Sequence, residues 1–112
     1  FMWLQSVDSR DLAFIVINPS LVWPDYRIEV HSQEVGDLLI TRIEAVETYV
    51  IVTVPENMAD ISVNLQGPIV INTINNFAKQ LVLVNSNYSV RHRLLREETV
   101  TRRQEELEPA GV

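Results

Sequence analysis

Residues 63–72, VNLQGPIVIN, decide how the chain folds, because they read as a strand and yet break in the middle. Before the break the run alternates. Val63 and Leu65 point one way and Asn64 and Gln66 the other, the two-residue period of a strand with one wet face. After Gly67-Pro68, Ile69-Val70-Ile71 is apolar on both faces. Proline cannot donate to a ladder, and glycine inside a strand marks a bulge or a tight bend. The pattern predicts one long strand that bends at Gly67-Pro68 and passes from a sheet surface into a region covered on both sides. The polar pair Asn64 and Gln66 is then either an ordinary wet face or a recognition surface.

Working outward from that strand, the remaining segments have the same character. Residues 1–7 and 12–17 read as two strands joined by the polar turn Asp8-Ser9-Arg10-Asp11, and the second stops at Asn18-Pro19. Residues 25–30 alternate, with Tyr26, Ile28 and Val30 on one face and Arg27 and Glu29 on the other. Ser32 is placed to cap a short helix running to Leu39, which Gly36 weakens. Residues 47–54 are β-branched and aromatic and end at Pro55, residues 73–78 read as a loop, and residues 80–84 read as a strand closed by Asn85-Ser86-Asn87. About six or seven short strands with turn signals between them predict an all-β fold, a small β-barrel-like single domain with one short helix. The domain is expected over residues 1–96. Residues 97–112 are Arg/Glu-rich with little apolar face, and predict a polar C-terminal tail.

Bulk properties bound the function. The 112 residues, 46% of them hydrophobic, fit one domain with one core. A chain of this size buries roughly two-thirds of its unfolded surface. With no cysteine there are no disulfides, no Cys-ligated zinc, no iron–sulfur cluster and no thiol nucleophile, which suits a reducing cytoplasm. Asn87-Tyr88-Ser89 fits a glycosylation acceptor by chance. No apolar run approaches the roughly 20 residues that span a bilayer. The chain opens on Phe1-Met2-Trp3-Leu4, which reads as the middle of a strand, so N-terminal residues are expected to be missing.

The net charge is −6, and it is unevenly placed. Residues 1–90 carry ten acidic and four basic side chains, whereas the five Arg and five Glu of residues 91–112 cancel. An acidic body argues against direct nucleic-acid binding, which needs a basic footprint. It suits a basic protein partner, because opposite potentials steer encounter, and it suits solubility equally well.

No catalytic pattern emerges. His31 and His92 are the two histidines, and neither has a second histidine at a ligand spacing, so no metal or other cofactor is expected. His92 sits between Arg91 and Arg93 and reads as an exposed basic cluster or a solvated strand end. No serine lies in a nucleophile elbow. Gly36, Gly67 and Gly111 are too far apart for a phosphate cradle. The acid pairs Glu56/Asp60 and Glu97/Glu98 fall in a loop and in the tail. Trp3 and Trp23 are core candidates, Trp23-Pro24 being also a candidate interface anchor. The residues alone describe a binding module without catalytic apparatus.

Several stretches, taken in order, resemble one family. They are Leu4-Gln5-Ser6, Asp11-Leu12-Ala13-Phe14 running on to Asn18-Pro19, Pro24-Asp25-Tyr26, Val52-Thr53-Val54-Pro55, residues 63–72, Lys79-Gln80 and Tyr88-Ser89-Val90-Arg91-His92. Together they cover residues 3–93 and resemble the FliW flagellar assembly factors of bacteria. That resemblance implies a non-enzymatic cytoplasmic regulator that binds flagellin and also binds and antagonises the translational repressor CsrA. It implies no cofactor, no direct nucleic-acid contact and no membrane, and leaves the oligomeric state open. The tail matches nothing in the family pattern. The family has further N-terminal residues that supply its first strands. The chain also departs from it at Gly67, where family members carry Ala, and at Ala78, where they carry Gly. Polar motif positions not needed for packing are the expected partner-binding residues: Asp25, Tyr26, Asn64, Lys79, Gln80, Arg91 and His92. The alternatives are a small-barrel interaction module of other specificity and an enzyme of unrecognised type.

Overall fold

The structure is a computed structural model that describes residues 1–84 and 86–95. The polar tail expected over residues 97–112 lies outside the described residues. Seven strands form: β1 (Met2–Gln5), β2 (Ala13–Ile17), β3 (Val46–Thr53), β4 (Ser62–Val63), β5 (Ile69–Asn72), β6 (Phe77–Gln80) and β7 (His92–Arg93). Every pairing is antiparallel. Strand β3 is the hub. Its second half pairs with β2 on one side and β4 on the other, and its first half pairs with β5, which carries β6.

The sheet is open, which corrects the barrel expectation. Its path runs β1-β2-β3-β4-β7, with β5 and β6 branching from β3, and among the described residues no ladder joins one end to another. The β1–β2 hairpin forms where the sequence places it, but it stands proud of the core. Trp3 is 72% exposed rather than buried, because nothing among the described residues covers β1.

Residues 63–72 divide into the end of β4, a five-residue excursion and β5. Val63 pairs with Val52 and Ile69 with Tyr49, so residues 64–68 stand opposite only Val50 and Ile51. The ladder cannot absorb three extra residues, and the chain bulges out at Gly67-Pro68. Asn64 makes the bulge possible. Its Oδ1 accepts from the N–H groups of Gln66 (3.1 Å) and Gly67 (2.9 Å), replacing the ladder bonds lost there. Neither Asn64 nor Gln66 is therefore a wet strand face; both are half-buried. A Cβ on Gly67 would stand 2.8 Å from Asn64 Nδ2 and 2.9 Å from Gln80 Nε2, so an alanine there displaces both amides.

Beyond the bulge, β6 continues in hydrogen bonding if not in regular geometry. Leu81 N–H donates to Pro68 O (2.8 Å) and Leu83 N–H to Gln66 O (2.9 Å). The strand expected over residues 80–84 thus begins earlier, at Phe77, and its second half pairs with the bulge instead of a ladder. Residues 25–30 form no strand, although their alternation is real. Tyr26 packs on one core cluster and Ile28 and Val30 on the other, while their neighbours face outward. The helix expected from Ser32 to Leu39 is two 3₁₀ turns, Ser32–Glu34 and Gly36–Leu38, separated at Val35. Leu39 then takes a left-handed conformation (φ 52°) and ends the run.

Two core clusters result. The first gathers Val50, Val52, Ile61, Val63 and Leu65 from β3, the turn before β4, β4 and the bulge; the second gathers Leu38, Val70 and Leu81.

Candidate functional site

Four aromatic rings line up along the surface of the first core. His92 of β7 lies 5.4 Å from Trp23, which meets Tyr88 edge-on at 5.2 Å, and Tyr88 lies 4.5 Å from Tyr26. These spacings are those of favourable aromatic pairs. The row is wired to the backbone at both its tyrosines. Tyr26 Oη donates to Leu65 O in the bulge, and Tyr88 Oη accepts from Arg27 N–H at 2.9 Å. Leu65 N–H in turn donates to Ser89 O at 3.0 Å. Three loops far apart in sequence, 23–27, 64–68 and 86–92, are therefore locked to one another. The half-buried His92 is part of this packing rather than an exposed basic cluster.

Burial, and next the neighbouring Tyr88, raise the pKa of Tyr26 well above its ordinary 10.0. The sign follows directly. The folded state holds this proton more tightly than the unfolded chain, so its contribution to stability is complete below pH 10 and is lost as pH rises above it. Tyr26→Phe should cost about 1 kcal/mol at pH 7 through the lost bond to Leu65 O. Between pH 9 and 11 its urea midpoint should fall less steeply than that of the parent. Parallel midpoint curves for the two proteins would contradict the assignment. Tyr49, whose hydroxyl donates to Glu47, is shifted the same way by that bond and is common to both proteins.

A groove of about 620 Å³ opens beside the aromatic row. Its lining comes from the segment 25–31 with Glu34, from residues 82–84, and from Trp23 and Tyr88 of the aromatic row. Asp25, Arg27, Glu29 and His31 line it alongside the exposed Val82 and Val84.

The residues singled out from sequence fall in three places. Asp25, Tyr26, Arg91 and His92 belong to the aromatic row and its margin, with Asp25 and Arg91 exposed. Asn64 and Gln80 meet at the bulge, where Gln80 Nε2 donates to Gly67 O at 3.1 Å. Lys79 is elsewhere. Its Nζ donates to Glu34 O at 2.7 Å and pairs with Asp37 at 3.4 Å, tying β6 to the 3₁₀ turns. Tyr26, Asn64, Lys79 and Gln80 thus each bond main chain within the fold, a structural use that polarity alone did not reveal. Sequence reading missed Arg27, Glu29, His31, Val82 and Val84 as neighbours. The alternation over 25–30 was the available signal, since it puts Arg27 and Glu29 opposite the face that packs.

The described residues hold no group of three or more side chains able to ligate a metal, and no helix among them is long and apolar enough to cross a membrane. The surface offers an aromatic row, a charged groove and an uncovered hairpin.

Comparison with known proteins gives this surface a context. The model of the FliW protein family matches residues 1–94. The flagellar assembly factor FliW of Thermoanaerobacter pseudethanolicus is 39% identical over 97 residues, which span 87% of this chain and 65% of that protein. The flagellar assembly factor FliW of Alkaliphilus metalliredigens is 42% identical over 97 residues, 60% of its length. A crystal structure of the flagellar assembly factor FliW superposes with a TM-score of 0.80 at 41% identity, covering 86% of this chain and 68% of that one. The chain thus spans under two-thirds of the length of these two relatives. With the family model matching 1–94 and its fold shared with a solved member, the chain belongs to the FliW family.

Proposed function

We propose that the chain is a non-enzymatic regulator of flagellar assembly that binds flagellin in the cytoplasm and also binds and antagonises CsrA. Family membership over residues 1–94 carries this reading. Physically, a partner switch is a competition between two protein ligands for one regulator, and it needs binding surfaces rather than reacting groups. When flagellin leaves the cell, the freed regulator takes CsrA from the flagellin message and synthesis resumes. The acidic body supports the CsrA half, because a repressor that binds RNA presents basic residues to a surface carrying −6. In this reading Asp25, Arg91 and His92 contribute contacts, and Tyr26, Asn64, Lys79 and Gln80 hold the backbone that presents them.

The test is calorimetric titration of the chain with flagellin and with CsrA from the same organism, at low and moderate salt. Saturable binding of both, with CsrA displaced as flagellin is added, is the expected result. The CsrA association rate should fall steeply with ionic strength. A salt-insensitive rate would remove the electrostatic argument. Flat titrations with both proteins would overturn the reading and leave an interaction module of other specificity.

A further inference from the structure

We propose that the groove between residues 25–31 and 82–84 takes one extended, basic peptide segment of a partner protein as an added strand. This rests on the reading of the chain as a protein-binding regulator and names the form of partner that one of its surfaces accepts.

The backbone argument comes first. In an extended chain, successive residues turn their N–H and C=O groups to opposite sides. Leu81 and Leu83 turn theirs toward the bulge, where their N–H groups donate to Pro68 O and Gln66 O. Val82, between them, must therefore turn its own away from the bulge, at the margin of the groove it lines. Among the described residues no hydrogen-bond partner meets the backbone of Val82. This is an open edge, and folded proteins ordinarily blunt such edges with lysine, proline or a covering loop. Residues 81–84, Leu-Val-Leu-Val, carry none of these residues, and Val82 and Val84 are 65% and 74% exposed.

The opposite wall sets the chemistry. Tyr26 and Ile28 pack inward, Val30 both touches the second core and borders the groove, and Arg27, Glu29 and His31 line it. With Asp25 and Glu34 there are three carboxylates against one guanidinium, so the wall is acidic at neutral pH. An open edge supplies affinity through main-chain bonds, and side chains on alternate positions supply selectivity. The matching occupant is a strand with β-branched residues on the valine wall and lysine or arginine toward Asp25, Glu29 and Glu34. Trp23 and Tyr88, paired edge-on, also line the groove and offer an apolar surface on which an aliphatic side chain can rest.

The test uses a synthetic probe, acetyl-Lys-Val-Thr-Val-Lys-amide, with the Glu-flanked peptide as control, titrated into the 112-residue chain while amide signals and hydrogen exchange are followed. The basic peptide should slow exchange at Val82 and bind about tenfold more tightly than the acidic one, with the difference shrinking at high salt. Val82→Pro, which deletes the edge N–H, should weaken binding of the basic peptide by about tenfold or more. Asp25→Asn with Glu29→Gln should remove most of the charge preference and keep the edge protection. No protection at Val82, or equal binding of both peptides, would overturn the proposal. So would protection that rises with protein concentration alone, which would assign the groove to a second copy of the chain. The two readings fail separately. If CsrA and flagellin titrate normally with the parent and with Val82→Pro while the probe does not bind, the groove proposal falls and the regulator stands. If the probe binds while neither protein titrates, the groove stands and the assignment of partners falls.

Discussion

Leu65→Ala is expected to lower stability by about 3 kcal/mol, the middle of the range for a buried leucine truncated in a packed core. Leu65 is 0% exposed and sits among Val50, Val52, Ile61 and Val63, all supplied by β3, β4 and the turn before β4. Those neighbours belong to a hydrogen-bonded sheet and cannot collapse into the space left behind, so the cavity persists and adds to the lost transfer energy. A second consequence is specific to this site. The main chain of Leu65 donates to Ser89 and accepts from Tyr26, so a bulge that shifts to relieve the cavity also disturbs the aromatic row. Urea unfolding should show a lowered midpoint, and near-ultraviolet dichroism from Trp23, Tyr26 and Tyr88 should weaken before the main transition. Ile43→Ala, at a position 76% exposed, should change stability by less than about 0.5 kcal/mol. Equal effects at positions 65 and 43 would mean that the first core cluster is not the centre of the fold.

The bulge also shows what was legible in the sequence. The break was written in Gly67-Pro68 and in the switch from alternating to continuous apolar residues, but one bent strand was the expectation, and the alternating residues 64–66 belong to an excursion between two separate strands, β4 and β5. What alternation did not carry was the use of Asn64. An asparagine that faces solvent and one that caps two backbone N–H groups look alike in a strand-period pattern, because the period reports direction and not partners. The same limit explains residues 25–30. Their inward and outward faces were read correctly, but a strand needs a neighbour to bond, and none of the described residues supplies one. Strand closure was illegible for a related reason. Whether a sheet closes depends on tilt and register accumulated over all its strands, and no local stretch encodes it. The candidate site was least legible of all. Lys79 and Gln80 are adjacent in sequence, yet one ties down the 3₁₀ turns and the other clamps Gly67, since neighbouring strand residues point to opposite faces. A motif on a strand is thus two half-motifs on two surfaces, and only the fold says which half faces a partner.

Asn72→Leu is the second large effect expected, about 3 kcal/mol, and it operates through polar groups instead of apolar volume. Asn72, at the end of β5, is 1% exposed and fully engaged. Its Nδ2 donates to Leu38 O at 2.9 Å and Leu39 O at 3.2 Å, and its Oδ1 accepts from Ile74 N–H at 3.1 Å. Leucine has a similar shape and would fill the site, so the loss is that of three hydrogen bonds. Leu38 O keeps a second donor in Asn75 Nδ2 at 3.1 Å, whereas Leu39 O and Ile74 N–H lose their recorded side-chain partner. Leu39 makes the cost larger. Its left-handed backbone is unfavourable for a side chain with a Cβ and persists only while its surroundings hold it. Releasing it frees Leu38 from the second core cluster and loosens the turns that Lys79 grips at Glu34 and Asp37. Hydrogen exchange should therefore quicken first over residues 34–39 and 73–77, with β2 and the distal half of β3 following only at global unfolding. Asn72→Asp separates the causes. It preserves shape and the bond from Ile74 but loses both donations and buries a carboxylate, so it should cost at least as much as leucine. If Asp were tolerated while Leu was not, the contact with Ile74 alone would account for the effect. The clamp on Leu38 and Leu39 would then not be what sets the second cluster.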